Sequence, residues 1–275
     1  MGTLFVVATP IGNLEDMSPR ARRVLSEVSL IAAEDTRHTG MLLKRLGIDT
    51  PMLSNHGFNE RARVDRFLVA LEAGDVALVS DSGTPAISDP GSILVRAAAD
   101  AGHRVVPVPG PSAVTAAISG SGLVDGPFIF LGFLPRSTGE RRDALDRALR
   151  AALPLVIYES GPRMPRLARE LGELASDRAV VVYRELTKLH EEAIRGPAAE
   201  LPGLLERAIV KGEFAVVVGA GVAGQPMGDI DALIDAGIAT GMSPSSLAKS
   251  IARQTGGARS EIYEQILKRS NGQGA

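Results

Sequence analysis

The feature that most constrains this chain is a rhythm: short β-branched runs alternate with helical patterns from the first residues to about residue 218. Leu4–Ala8, Leu30–Ala33, Met52–Ser54, Val76–Ser80 and Arg104–Val108 read as strands, with helices over Arg20–Val28, Asn59–Ala73 and Ser92–Ala101. Alternation of this kind is built as parallel strands joined by crossover helices, so the fold class is α/β. Local signals agree with it. Ser18-Pro19 offers an N-cap followed by proline at the first helical position. Gly74 and Gly102 end their helices as C-terminal glycines do.

The rhythm pauses at Ser119-Gly120-Ser121-Gly122 and resumes with strands Phe128–Gly132, Leu155–Glu159, Ala179–Glu185, Glu192–Arg195 and Phe214–Val218. Helices Glu140–Ala152, Arg163–Ala175 and Leu201–Lys211 lie between them. A chain of 275 residues exceeds one ordinary domain of ~100–200 residues. The expected division is an α/β domain over residues 1–126, a second α/β domain over 127–225, and a small all-helical appendage over 229–275. In the appendage, Leu247–Gln254 and Ser260–Lys268 flank Gly256-Gly257, the outline of a helix-turn-helix. Lys249, Arg253, Arg259, Lys268 and Arg269 there outnumber Glu261 and Glu264, a locally positive balance.

Absences remove several classes of chemistry. With no Cys there is no disulfide, thiolate metal site or cysteine nucleophile. His38, His56, His103 and His190 are scattered without metal-ligand spacing, so no metal is expected. No G-x-G-x-x-G follows the first strand, no P-loop motif occurs, and no G-x-S-x-G elbow marks a hydrolase. No apolar run approaches the ~18–20 residues of a membrane span, and Met1–Val7 lacks a signal peptide's basic start. A soluble cytoplasmic protein without a membrane partner is expected. A net charge of −2 and 4% aromatic residues without Trp speak against a wholly basic surface or a base-stacking platform. A local basic face remains compatible with both.

The chemistry must then lie in loops. Thr9–Leu14, Ser80–Gly91 and Pro107–Ala113 all fall at carboxyl ends of first-domain strands, where open α/β sheets bind ligands. Ser80–Gly91 is twelve small, Pro, Ile and Asp residues whose backbone groups are free to meet a polar ligand. A plain surface turn is the competing reading of any one such loop. Two polar clusters join them on one sheet edge: Ala33–Thr39, with Glu34, Asp35, Arg37 and His38, and Asn55–Glu60, with His56. Acid, Arg and His together suit general-base and phosphate-holding work, or else a capped helix start. In the second domain Tyr183–Glu192 is dense in hydrogen-bonding side chains, including Arg184, Glu185 and Lys188. Pro135–Arg142 puts Arg136, Arg141 and Arg142 at a helix start suited to phosphates.

Val7–Leu14, Ala33–Arg37, Ser80–Gly91, Pro109–Ala113 and Gly132–Arg136, in this order, resemble the tetrapyrrole (precorrin) methylase superfamily. Within it the Glu-Asp-Thr-Arg and Ser-Asp-Ser-Gly-Thr-Pro segments resemble the branch that methylates small-subunit ribosomal RNA. The resemblance covers about residues 3–225. It implies a two-domain enzyme, a homodimer, that binds S-adenosylmethionine between its domains. The implied reaction is methylation of a cytidine ribose 2′-hydroxyl in 16S rRNA or the small ribosomal subunit. It implies a cofactor site of Ile11, Asp81, Gly83, Thr84, Pro85, Ile87, Ser112 and Ala113, with Tyr158 reaching from the second domain. Where tetrapyrrole-methylating relatives carry Gly-Asp-Pro, this chain has Gly83-Thr84-Pro85, so Thr84 takes that Asp's place by hydroxyl or backbone.

On this reading Glu34 or Asp35 assists the hydroxyl and Arg37 grips RNA phosphate. Asn55, His56, Arg136, Arg184, Glu185 and Lys188 are candidates for the substrate side. Two other functions stay open: methylation of a tetrapyrrole or other small molecule, and a non-catalytic RNA-binding or ribosome assembly factor.

Overall fold

The computed structural model describes residues 1–206, 211–221, 230–255 and 258–272. Its first half holds β1 (Thr3–Val7), α1 (Pro19–Glu27), β2 (Leu30–Ala33), α2 (Thr36–Leu46), β3 (Met52–Ser54), α3 (Glu60–Ala73), β4 (Val76–Val79), α4 (Ser92–Asp100), β5 (Arg104–Val108) and α5 (Ala113–Ser121). The five strands form one parallel sheet in the order β3-β2-β4-β1-β5. Strand periodicity explains its two covered faces. Val7, Ile31, Ala33, Ala77 and Val79 meet Ala21, Val24 and Leu25 of α1 and Leu43 and Leu46 of α2. The alternate residues Leu4, Ala32, Val76 and Leu78 meet Phe67 and Leu71 of α3 and Leu94 and Ala98 of α4.

Caps behave as the residue types dictate. The Ser18 hydroxyl accepts from the Ala21 N–H at 3.1 Å, ahead of Pro19. Helix α2 realises the capped helix start that was the alternative reading of the polar cluster at this strand end. Its first residues, Thr36-Arg37-His38-Thr39-Gly40, carry little helix propensity. The helix starts because the Asp35 carboxylate accepts from the Arg37 N–H at 2.8 Å.

The second half holds β6 (Ile129–Phe133), α6 (Thr138–Arg150), β7 (Leu155–Ser160), α7 (Met164–Leu174), β8 (Ala179–Arg184), β9 (Glu192–Pro197), α8 (Leu201–Glu206) and β10 (Glu213–Val218). Its sheet runs β6-β7-β10-β8-β9, and here parallel pairing stops at β6–β7. The pairs β7–β10, β10–β8 and β8–β9 are antiparallel, which departs from the expected parallel rhythm. The reason lies in connection length. Residues 185–191 between β8 and β9 are too few for a crossover. Strand β10 then inserts between β7 and β8. The expected helix over Leu201–Lys211 is seen as far as Glu206; residues 207–210 lie outside the described residues.

Leu155, Ile157, Val180, Val182, Val216 and Val218 face α6, α7 and α8. Their alternates Val156, Val181, Ala215 and Val217 face Val114 and Ala117 of α5. Helix α5 therefore leaves the parallel sheet and packs on the second one, although its Ser119-Gly120-Ser121 end read as a pause. The Arg195 guanidinium fixes it by donating to the Ser121 and Gly120 carbonyls at 2.7 and 2.6 Å.

Helices α9 (Ile230–Ala239), α10 (Pro244–Thr255) and α11 (Arg259–Gly272) form a third unit with a core of Ile234, Leu247, Ala248, Ile251, Ile262 and Ile266. Helix α9 was not anticipated, although Ile230, Leu233, Ile234 and Ile238 repeat at helical spacing. A Cβ on Gly237 would overlap Leu247, so glycine is what lets α10 approach α9 closely. The expected Gly256-Gly257 turn lies outside the described residues. Among the described residues, no helix is long and apolar enough to cross a membrane.

Candidate active site

The site grows from the carboxyl edge of the parallel sheet, where three loops are laced together. The Thr9 and Gly83 backbones exchange hydrogen bonds at 2.9 and 3.1 Å, tying the loop after β1 to the loop after β4. The Thr84 hydroxyl donates to the Pro111 carbonyl at 3.1 Å, tying that loop to the one after β5. Gly83 has φ +82°, and a Cβ there would crowd Ile11 at 3.2 Å. Ala86 and Ser88 hold φ 66° and 65°, positions that L side chains rarely adopt and that cluster at functional sites.

Helix α5 brings the second sheet over this edge and leaves a cleft of about 760 Å³, counting its open mouth. Ile11, Gly83, Thr84, Ile87, Ser112 and Ala113 line it from the first half, and Phe133, Tyr158, Glu159, Leu186 and Ala215 from the second. Tyr158 is held edge-on between Phe130 and Phe133, with ring centroids 4.9 and 5.7 Å away. Burial pushes its hydroxyl up to about 12. Two residues expected at the cofactor do not line the cleft. Pro85 is buried in the turn, and Asp81 points toward β2, accepting from the Asp35 N–H at 3.0 Å. The Thr84 hydroxyl, expected to replace an aspartate's contact, is engaged by Pro111.

The cleft's charge is acidic. Asp89, Glu159, Glu185 and Glu213 line it with one cation, Lys188. The Lys188 ammonium bonds Glu185 at 2.9 Å and Glu213 at 3.0 Å. For Glu185, burial pushes the carboxyl up, but the Glu213 N–H and Lys188 outweigh it and hold the group below its usual range. Glu159 is buried and held by Arg141 at 2.7 Å and Arg163 at 3.2 Å. Arg141, expected as part of a phosphate-facing stretch, instead turns into the core, where it also pairs with Glu170. Arg142 pairs with Glu173, and Arg136 is exposed away from the cleft lining. Arg184 is likewise buried, donating to the Lys211 and His190 carbonyls at 3.2 and 3.1 Å.

Beside the cleft, register aligns the strand ends into a polar row. Ala33 pairs with Ser54 on one side and Val79 on the other, so Glu34 stands between Asn55 and Ser80. Burial pushes the Glu34 carboxyl up, while it accepts from the Asp81 N–H at 3.2 Å. Asp35 is spent as the cap of α2 and on the Arg37 guanidinium at 2.6 Å, which holds it well below the usual carboxylate range. Arg37 itself is 89% exposed. Asn55 is buried with both amide atoms unpartnered, and His56 lies edge-on to the fully exposed Phe58 at 6.1 Å.

Asp89 is one of the cleft residues that sequence reasoning passed over, although it sits inside the Ser80–Gly91 loop. Burial first, then the negative charges of Glu34, Asp81 and Glu213, push it up to about 7, against a hydrogen bond from Ser80. Glu159 and Glu213 were missed because each belongs to an otherwise ordinary strand and carries no local signal.

Comparison with known proteins agrees with this architecture. A family model described as Tetrapyrrole (Corrin/Porphyrin) Methylases matches residues 3–202. The chain is 46% identical over 268 residues to the ribosomal RNA small subunit methyltransferase I of Xylella fastidiosa, covering 95% of this chain and 98% of that protein. It is 43% identical over 275 residues to the protein of the same name from Pseudomonas aeruginosa, covering 98% of each. Among solved structures, uroporphyrin III C-methyl transferase from Thermus thermophilus complexed with S-adenyl homocysteine superposes with a TM-score of 0.56 at 19% identity, over 80% of this chain and 97% of that one. A cobalt precorrin-4 methyltransferase gives 0.58 at 16%, over 79% and 94%. On the family match and on relatives aligned over nearly its whole length, this chain belongs to the tetrapyrrole (corrin/porphyrin) methylase family, beside the ribosomal RNA small subunit methyltransferase I proteins.

Proposed function

We propose that this protein uses S-adenosylmethionine to methylate the ribose 2′-hydroxyl of a cytidine in small-subunit (16S) rRNA, in the cytoplasm and as a homodimer. The observation that carries the reading is the cleft itself. It combines apolar walls, backbone loops at strand ends and an excess of carboxylates, and it opens beside the Asn55–Glu34–Ser80 row. Those residues fit the cofactor. Ile11, Ile87 and Leu186 suit its adenosine, Thr84, Ser112 and Ala113 its polar groups, and Glu185 and Glu213 its ammonium charge. The bound cofactor would supply an electrophilic methyl group.

What remains for the protein is alignment and proton removal. Asn55, His56 and Phe58 occupy the row's far end, where a nucleoside reaching from the cleft would place its base. Exposed Arg37 and Arg136 are positioned for phosphate contacts. Residues 1–126 and 127–225 act as the two halves of the enzyme and residues 229–275 as an RNA-docking unit. In that unit Arg269 is drawn onto Asp231 and Asp235, leaving Lys249, Arg259 and Lys268 for RNA; the Arg253 side chain lies outside the described residues.

The test supplies labelled S-adenosylmethionine and small subunits from cells lacking this activity, then maps methylated nucleosides by mass. A 2′-O-methylcytidine is the expected product. A methylated base, or label on a tetrapyrrole only, would overturn the reading. Removing residues 229–275 should weaken subunit binding and leave cofactor binding intact.

A further inference from the structure

Resting on the reading above, we propose that Asp89 is the group that accepts the proton of the target hydroxyl, a role the motifs point toward Glu34 or Asp35. The argument runs by what each carboxylate near the cleft is already doing. Asp35 caps α2 and pairs with Arg37, and Asp81 faces the Asp35 N–H. Glu159 is held by Arg141 and Arg163. Glu185 and Glu213 share Lys188. Glu34 accepts from the Asp81 N–H and does not line the cleft. Asp89 lines the cleft, follows two residues with left-handed backbone, and among the described residues pairs with no cation.

Its neighbours complete the case. The groups that face it are Glu34 and Asp81 from the sheet edge, Glu213 from β10, the Tyr158 hydroxyl from β7 and the Ser80 hydroxyl from its own loop. Burial first, and then the three acids among these neighbours, push its proton affinity up to about 7, into the range where a general base is effective at neutral pH. In the step, the hydroxyl proton passes to an Asp89 oxygen as the ribose oxygen forms a bond to the methyl carbon. The carbon–sulfur bond breaks and its electron pair returns to sulfur, leaving a neutral thioether and a methyl ether. Glu34 is then a positioning residue whose charge sustains the basicity of Asp89.

The experiment measures single-turnover methylation of small subunits across pH 5–9, with binding of S-adenosylhomocysteine by calorimetry and the carboxyl titration of Asp89 by NMR in the free protein. The wild-type rate should fall below about pH 7 and the Asp89 signal should titrate in the same range. Asp89→Asn should lose ~10²–10⁴-fold in rate, lose the acidic limb, and bind S-adenosylhomocysteine within about threefold of wild type. A rate within tenfold of wild type, or a loss of S-adenosylhomocysteine binding as large as the loss of rate, overturns the proposal. Should Asp89→Asn melt early, folded Asp89→Glu decides: a displaced acidic limb supports it and an unmoved one overturns it. A wild-type protein inert toward subunit RNA would instead sink the parent reading.

Discussion

The N–H of Asp35 donates to the Asp81 carboxylate at 3.0 Å, so the residue that starts α2 is hung from the loop that follows β4. The Asp81 N–H returns a bond to Glu34 at 3.2 Å. Two neighbouring strand ends are thereby locked in register just past the last ladder pair, Ala33 with Val79. Asp81→Ala should cost ~1–3 kcal/mol, the usual loss for a charge-assisted hydrogen bond. It should slow methylation more than it weakens S-adenosylhomocysteine binding, because Asp81 does not line the cleft. Urea denaturation and calorimetry on the same variant check both parts.

Arg37 is exposed and, among the described residues, its side chain pairs only with Asp35. Arg37→Ala should leave the melting temperature and cofactor affinity unchanged. RNA affinity should weaken, and the slope of log affinity against log salt should fall by about one phosphate contact. A salt titration of subunit binding reads this directly, and an unchanged slope assigns Arg37 to the Asp35 cap alone.

Arg141 sits at the opposite extreme, with a side chain 1% exposed between Glu159 and Glu170. Arg141→Ala removes the buried partner of both carboxylates, leaving Glu159 to Arg163 and Glu170 to Arg166, and should destabilise the protein by up to ~3–5 kcal/mol. Equilibrium denaturation followed by circular dichroism gives the figure.

The raised Asp89 carboxyl sets a pH trend in stability. Its folded value, about 7, lies above the ordinary 3.8, so the folded state binds the proton more tightly than the unfolded chain. Stability from this group is complete below about pH 4 and is lost as pH rises through about 7. Solvent in the open cleft reduces the full linkage of ~4 kcal/mol to ~1–2 kcal/mol. Asp89→Asn should therefore flatten the decline, which melting temperatures at pH 5 and pH 8 would show.

Much of this was legible in the residues, for physical reasons. The five parallel strands were readable because both of their faces are buried, which leaves near-continuous apolar runs between Gly-ended helices. The strand-end loops were readable because a stretch such as Ser80–Gly91 is too rich in Gly, Pro, Ser and Asp to form a core element. What escaped depended on distant partners. Arg141 and Arg136 look alike in sequence, and only Glu159 and Glu170 draw the first inward. The antiparallel half escaped because β-branched strands read the same in either direction. Asp89 was hidden by sharing its motif with Asp81, and only the fold tells which of the two faces the cleft.

The insertion of β10 between β7 and β8 bears on how the molecule is made. All five parallel strands have left the ribosome by Val108, whereas the centre of the second sheet is its last strand in the chain. Until Glu213–Val218 emerges, β7 and β8 have no common neighbour, and the wall carrying Glu213, Phe214 and Ala215 does not exist. Domains fold as units during synthesis, N-terminal part first. The nascent protein thus has its strand-end loops in place while the opposite wall of the cleft is still missing, and the cleft closes only after residues 213–218 have been made.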